Sequence, residues 1–345
     1  MSPGRMLRTV KIAHIRERNA PAGSPWRLAA ARDTAVSRWL DLDDARQALV
    51  VEIPSRAHNS ALFRQPLTTL DDLLARGMRV AALAEIVEGY ARATDDDEAI
   101  LDASALDFGP PILAPPTFRD FYAFEQHVST MWKRRDMEIP EAWYRLPIFY
   151  FSNVSEIRGP GDPVWAPRGS AEMDYELEVA ALIDTPVRDV DAARGEEAIG
   201  GYMVLNDWSA RDLQREESTV RLGPAKGKDF ASSIGPWLVT PDELADVRTD
   251  TGYELTMTAT VNGQELSRGT WSSAHFGFGQ MVERASADVR LRPGDLLGSG
   301  TVGTGCLLEV RDEILKRYLE PGDSVTLAVE RLGELTAAVV ERRRP

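Results

Sequence analysis

Between positions 109 and 116 the chain reads Gly109-Pro110-Pro111-Ile112-Leu113-Ala114-Pro115-Pro116. No regular helix can run through four prolines so close together, because each lacks an amide hydrogen and fixes its own φ. The stretch must be stiff, extended backbone. It divides the sequence into an N-terminal segment, residues 1–108, a proline-rich linker, 109–116, and a C-terminal segment, 117–345. A chain of 345 residues suits one large or two ordinary domains of roughly 100–200 residues.

The two segments differ in texture. Near the N-terminus Val10, Ile12 and His14 alternate with Lys11 and Ala13, which predicts a strand. Leu70, Leu73 and Leu74 share a helical face within Leu70–Arg76, and Val80, Leu83, Ala84 and Val87 do so within Val80–Arg92. Gly77 separates the two, giving a small α+β domain. Asp95-Asp96-Asp97-Glu98 reads as a solvated turn. Beyond the linker, short β-patterned runs recur at Glu176–Ile183, Met203–Asn206, Trp237–Thr240, Leu255–Val261, Leu307–Val310 and Val325–Val329. Asn262-Gly263 between alternating residues predicts a hairpin. The class is mixed α/β, mostly β, without βαβ alternation.

Composition removes several functions. With 54 acidic against 40 basic side chains the net charge is −14, the wrong sign for a nucleic-acid or anionic-membrane partner. An apolar fraction of 43% is enough for a sizeable core. One cysteine, Cys306, excludes an internal disulfide framework and points to a reducing, cytoplasmic setting. No run of about 18 apolar residues suggests a membrane span. The basic start (Arg5, Arg8, Lys11, Arg16, Arg18) lacks the apolar stretch of a secretion signal. The tryptophans, His275 and Cys306 read as packing residues.

Gly298-Ser299-Gly300-Thr301-Val302-Gly303 fits a dinucleotide-binding pattern, but Thr304–Val310 behind it looks like a strand where a helix is required. The run Gly223–Asp229 falls one residue short of a phosphate-binding loop and puts Asp229 where Ser or Thr must hold magnesium. The four histidines (14, 58, 127 and 275) are scattered, against a histidine-rich zinc site.

One constellation survives. In Met173-Asp174-Tyr175-Glu176-Leu177-Glu178-Val179-Ala180-Ala181-Leu182 a strand would set Glu176 and Glu178 on one face about 6–7 Å apart. Such like charges repel unless compensated. A hard divalent cation does so with oxygen ligands; a solvated strand face is the alternative. If Asp120–His127 is helical, Asp120 and His127 share a face about 10.5 Å apart along the axis; the alternative is an ordinary amphipathic helix start with Asp120 near its N-cap. Asp207 falls where a buried strand meets its turn. Lys228 sits on a Gly- and Pro-framed loop, and Glu309 follows Gly300-Thr301 in a predicted strand.

Taken in order, D-F-Y-x-x-x-x-H, the E-L-E strand, N-D-W-S-A-R-D-x-Q, G-K-x-F, G-P-W and S-G-T resemble the fumarylacetoacetate hydrolase family over about Thr117 to Glu330. The resemblance implies a catalytic domain built as a β-roll or sandwich of mixed sheets with few helices. It implies that Asp120, Glu176, Glu178 and Asp207 ligate one Mg²⁺ or Ca²⁺, with Mn²⁺ a further candidate. Lys228 and Ser232 would support the metal shell and a developing oxyanion. His127 would be general base, held by Glu309. Tyr122, Tyr150, Arg211, Gln214 and Thr301 would line the pocket for a small keto-acid substrate, and the family implies a homodimer. The implied substrate is a β-diketo acid, acylpyruvate or fumarylacetoacetate-like, although Ser232 and Ser218 stand where the family's tyrosine-breakdown member has threonine and tyrosine. Decarboxylation of an oxaloacetate-like acid, or isomerisation or hydration of a dienoate, would share the first step. A non-catalytic metal-binding scaffold is the remaining alternative.

Overall fold

The computed structural model describes residues 11–21, 23–56, 60–93, 98–310 and 315–342. His58, the basic start up to Val10 and the aspartates of the 95–98 run lie outside them. A twelve-stranded mixed sheet forms the spine. From one edge its strands are β4 (Ile100–Asp102), β3 (Arg38–Asp41), β2 (Arg27–Ala31), β1 (Lys11–Glu17), β13 (Ser232–Val239), β11 (Ile199–Asn206), β10 (Leu177–Ile183), β16 (Leu296–Gly298), β6 (Phe118–Phe121) and β7 (Phe149–Ser152). β5 (Leu106–Gly109) joins through β1 and β8 (Ile157–Arg158) through β13. A four-stranded sheet runs β15 (Gln264–Thr270), β14 (Thr256–Val261), β17 (Ser324–Val329) and β18 (Gly333–Ala338). A short pair joins β9 (Met173–Asp174) to β12 (Ser209–Ala210). The mixed, mostly β class is as expected, and Asn262-Gly263 makes the β14–β15 turn, both residues at positive φ.

Alternation along β10 shows why this strand lies at the centre. Tyr175, Leu177, Val179, Ala181 and Ile183 face a core shared with Met257, Ala259 and Leu327 of the four-stranded sheet. Ala180 and Leu182 face the opposite way, into a core shared with the N-terminal helices. Those helices are α1 (Leu42–Glu52), α2 (Leu70–Ala75) and α3 (Ala84–Ala93), the last preceded by a 3₁₀ turn, Val80–Leu83. The second helical face therefore begins as a tighter turn before becoming α-helical. Strands from both sides of the proline stretch share the main sheet, since Lys11 and Ile12 of β1 pair with Val239 and Leu238 of β13.

β1 is a strand, but its pattern differs from the sequence expectation. Ile12, Ala13, His14 and Ile15 are all buried, because a strand flanked by partners and covered on both faces has no polar side. Leu307–Val310, expected to be a strand, is instead a single helical turn. Asp120 lies in β6, whereas His127 lies in helix α4 (Glu125–Lys133), so the two do not share a helix. Phe118–Phe121 is buried throughout and paired on both edges, which overrides the helical spacing. Of the tryptophans read as packing residues, Trp39, Trp143 and Trp271 are buried, whereas Trp26, Trp165 and Trp237 are half-buried. Among the described residues, no helix is long and apolar enough to cross a membrane.

Candidate active site

Four neighbouring strands bring three carboxylates together. β6 runs parallel to β16, with Asp120 opposite Gly298. Gly298 also pairs with Ala180 of β10, and Glu178 pairs with Leu205 of β11. Asp207 follows the end of β11. Gly298 lets the group close up, since a Cβ there would collide with the Asp120 carboxylate. Carboxylate oxygens of Asp120, Glu178 and Asp207, all buried, lie within 4.8 Å of one another. Asp120 Oδ1 and Asp207 Oδ1 have no hydrogen-bond partner among the described residues. Burial, and then the Asp207 charge, push the Asp120 carboxyl well above its usual range. Burial and the charges of Asp120 and Asp207 do the same to Glu178. Buried oxygen donors left unpaired and mutually repelling form a set that a hard divalent cation satisfies.

Cationic side chains close one side of this group. The Lys228 ammonium bonds the carboxylates of Glu176 and Asp207. Arg211 gives Nη2 to Glu176 Oε1 at 2.7 Å and Nε to Asp174 Oδ2 at 2.8 Å. Burial alone would raise the Glu176 carboxyl, but Arg211 and Lys228 outweigh it and hold it far below its usual range. Burial alone would lower the Lys228 ammonium, yet Asp207 and Glu176 keep it raised and charged. Tyr150 donates its hydroxyl to Asp207 Oδ2 at 2.6 Å. Gly300 N–H and the Thr301 hydroxyl reach Glu178 at 3.0 and 3.3 Å. Arg211 Nη1 donates to Gln214 Oε1 at 3.0 Å, one turn along helix α5 (Arg211–Ser218).

The His127 imidazole lies close enough to Glu176 for its charge to act on that carboxylate. His127 Nδ1 meets Glu309 Oε2 at 2.9 Å, both side chains almost wholly buried. A carboxylate only accepts, so Nδ1 carries a proton, and in the neutral ring Nε2 is the nitrogen with the free lone pair. The Tyr122 ring packs edge-on against the imidazole at 5.5 Å between centroids. Glu309 is the third residue of the helical turn α6 (Leu307–Val310), not part of a strand. That turn starts because Asp174 accepts the N–H groups of Leu307 and Leu308 at 2.7 and 3.0 Å, satisfying donors a helix start leaves open.

The structure thus gathers His127, Glu309, Lys228, Arg211, Tyr122, Tyr150 and Thr301 around the carboxylates. Glu176 stands apart from the convergent trio, its two oxygens engaged by Arg211 and Lys228. Ser232 is buried at the start of β13, and among the described residues its hydroxyl makes no hydrogen bond to the carboxylates. His275 stacks on Trp143 at 4.9 Å. In the Gly298–Gly303 run the Gly300 amide is turned to Glu178, and the following helix is one turn long; neither suits a dinucleotide. Sequence reasoning gave Asp174 no role. Its partners, the amides of Leu307 and Leu308 and the Arg211 guanidinium, are distant in the chain, so no local pattern marks it. Cys306, read as a packing residue, is indeed buried, but its Sγ also lies 3.6 Å from Glu309 Oε2.

Residues 117–340 match the family model for the fumarylacetoacetate (FAA) hydrolase C-terminal domain. The chain belongs to the fumarylacetoacetate hydrolase family. It is 32% identical over 200 residues to the 2,4-didehydro-3-deoxy-L-rhamnonate hydrolase of Sphingomonas sp. (strain SKA58), across 57% of this chain and 66% of that protein. The match therefore spans just under two-thirds of that curated relative's length. Among solved structures, 5-carboxymethyl-2-hydroxymuconate delta-isomerase from Mycobacterium smegmatis is 30% identical, with a TM-score of 0.55 over 70% of this chain and 83% of its own. Fumarylacetoacetate hydrolase from Exiguobacterium antarcticum, 21% identical, shares the fold at a TM-score of 0.69 over 96% of this chain and 100% of its own.

Proposed function

We propose that the protein is a divalent-cation-assisted hydrolase that cleaves a carbon–carbon bond in a β-diketo acid of the acylpyruvate class. The observation that carries this reading is the buried His127–Glu309 pair close to Glu176, which Lys228 links to the convergent carboxylates of Asp120, Glu178 and Asp207. Asp120, Glu178 and Asp207 would hold the cation, with Glu176 adjoining, and an Mg²⁺, Ca²⁺ or Mn²⁺ ion there supplies a Lewis acid for the substrate's oxygens.

The chain's own groups account for the proton movements. Nε2 of His127 takes a proton from water, and Glu309 keeps the Nδ1 proton in place. The resulting hydroxide adds to the carbonyl farther from the substrate's carboxylate. The bond from that carbonyl carbon to the methylene then breaks, and its electron pair stays on the methylene. His127 returns its proton to that carbon. One water is consumed, and pyruvate and a second carboxylic acid leave. Lys228 and Arg211 hold Glu176 ionised, and Tyr122, Tyr150, Gln214 and Thr301 orient the substrate.

Acylpyruvates incubated with Mg²⁺ should yield pyruvate and the matching acid, and chelation should stop the reaction. His127→Ala should lower kcat by about 10²–10⁴-fold while retaining the metal content of the parent protein by elemental analysis. Loss of the metal in that variant would overturn His127 as base. A second reading rests on the isomerase named among the similar structures: the same imidazole could move a proton between carbons of a hydroxydienoate with no water consumed. Product analysis by NMR separates them, because only hydrolysis splits the substrate in two.

A further inference from the structure

We infer that Asp174 is a positioning residue that sets the imidazole–carboxylate pair and Arg211 from one buried point; the inference rests on the proposed role of His127. Its side chain is wholly buried and accepts three hydrogen bonds. Oδ1 takes Leu307 N–H at 2.7 Å, while Oδ2 takes Leu308 N–H at 3.0 Å and Arg211 Nε at 2.8 Å. The main chain around it is pinned as well. Asp174 pairs with Ser209 in the β9–β12 ladder, Arg211 N–H bonds Glu172 O at 2.9 Å, and Leu319 N–H bonds Met173 O at 2.9 Å.

Each arm ends on a different part of the site. A four-residue helical turn has no stability of its own, because nucleation costs more than one or two turns return. Glu309 is therefore aimed at His127 only while Asp174 holds the first two amides of its turn. The other arm fixes the guanidinium whose Nη2 bonds Glu176 at 2.7 Å, and Glu176 in turn bonds Lys228. An asparagine cannot substitute: one of its two faces is an NH₂ group, which would meet N–H donors. The Cys306 thiol, 3.6 Å from the Glu309 oxygen that faces His127, adds a weak contact to the same turn.

The test combines spectroscopy with a double-mutant cycle. In the full-length protein the Nδ1 proton of His127, assigned by its absence in His127→Ala, should give a downfield NMR resonance that disappears in Asp174→Asn. With an acylpyruvate and Mg²⁺, Asp174→Asn and Glu309→Gln should each lower kcat by about 10–100-fold, the range for residues that orient site groups. The double variant should be no slower than the slower single one, because both break the same link. A retained Nδ1 resonance, or losses that multiply in the double variant, would overturn the assignment. Should Asp174→Asn fail to fold, hydrogen exchange on the unsubstituted protein decides. Leu307 and Leu308 amides must exchange as slowly as those of β10, and exchange at the rate of exposed loops overturns the proposal. If the unsubstituted protein splits no β-diketo acid, the hydrolase reading fails, and the resonance and exchange results still decide the place of Asp174.

Discussion

Asp120 and Glu178 are individually unfavourable in the fold. Each is buried, each faces another carboxylate, and both carboxyls are driven toward the neutral form. Sites arranged for function commonly carry such a stability deficit. Glu178→Gln should therefore melt higher than the parent in chelator, by about 1–2 kcal/mol. The parent should gain on adding Mg²⁺, by ~2.7 kcal/mol at a hundredfold excess over Kd, and the variant should gain nothing. Thermal melts with and without chelator check both halves; an equal response to Mg²⁺ in the two proteins would remove Glu178 from the cation site. Glu176 and Glu178 stood out in the sequence because they alternate beside apolar residues, and Asp207 because it follows a strand; Asp120 stood out on a helical spacing that its place in β6 does not keep. Asp174 did not, because a carboxylate that works by accepting main-chain N–H groups leaves no spacing pattern. The separate engagement of Glu176 was equally hidden, since the arginine and lysine that claim it come from distant parts of the chain.

His14 shows how the elements are tied. Its Nδ1 donates to Pro110 O at 2.7 Å, and its Nε2 accepts the Leu70 N–H at 3.0 Å. The ring thus joins β1, the proline stretch and the first turn of α2, and Asp71 of the same helix accepts the Leu113 and Ala114 amides at 3.0 and 2.8 Å. Burial lowers the His14 pKa, against smaller upward pulls from Pro110 O and Asp71. Protonation would also put a hydrogen on the nitrogen that accepts from Leu70. The folded value lies below the unfolded one, so this contribution is intact above about pH 6.5. It is lost progressively as the pH falls from there toward the folded value. Denaturant midpoints should drop between pH 7.5 and pH 5 in the parent, and His14→Asn should flatten that slope; identical slopes would show that His14 is not the group responsible. The proline stretch and both N-terminal helical faces could be read from local pattern, because Pro, Gly and leucine spacing act over a few residues. Burial of His14 could not, since it depends on partners 56 and 96 positions away. The turn bearing Glu309 misled for the same reason: a short apolar run fits strand or helix equally, and a distant carboxylate that takes its first amides makes it helical.

At the scale of the molecule the question is whether the segment before the prolines unfolds independently of the segment that carries the site. β1 pairs with β13, β13 with β11, and β11 ends one residue before Asp207. The core beneath them mixes Ile12, Leu28 and Leu40 with Leu205, Ile234 and Leu238. Interfaces between separable domains are more polar than this and cross few strands. Calorimetry should therefore show one transition. Leu40→Ala and Leu238→Ala, one on each side of the prolines, should each shift that transition downward with a cost of about 2–5 kcal/mol. Two resolved transitions, with only one moved by each substitution, would mean that the halves fold apart. If they fold together, the N-terminal segment contributes to the site through the main sheet. It fixes one edge of β13, whose other edge holds β11 and with it the approach to Asp207. A segment so joined cannot be removed without exposing an edge of β13, the neighbour of the strand that leads to Asp207.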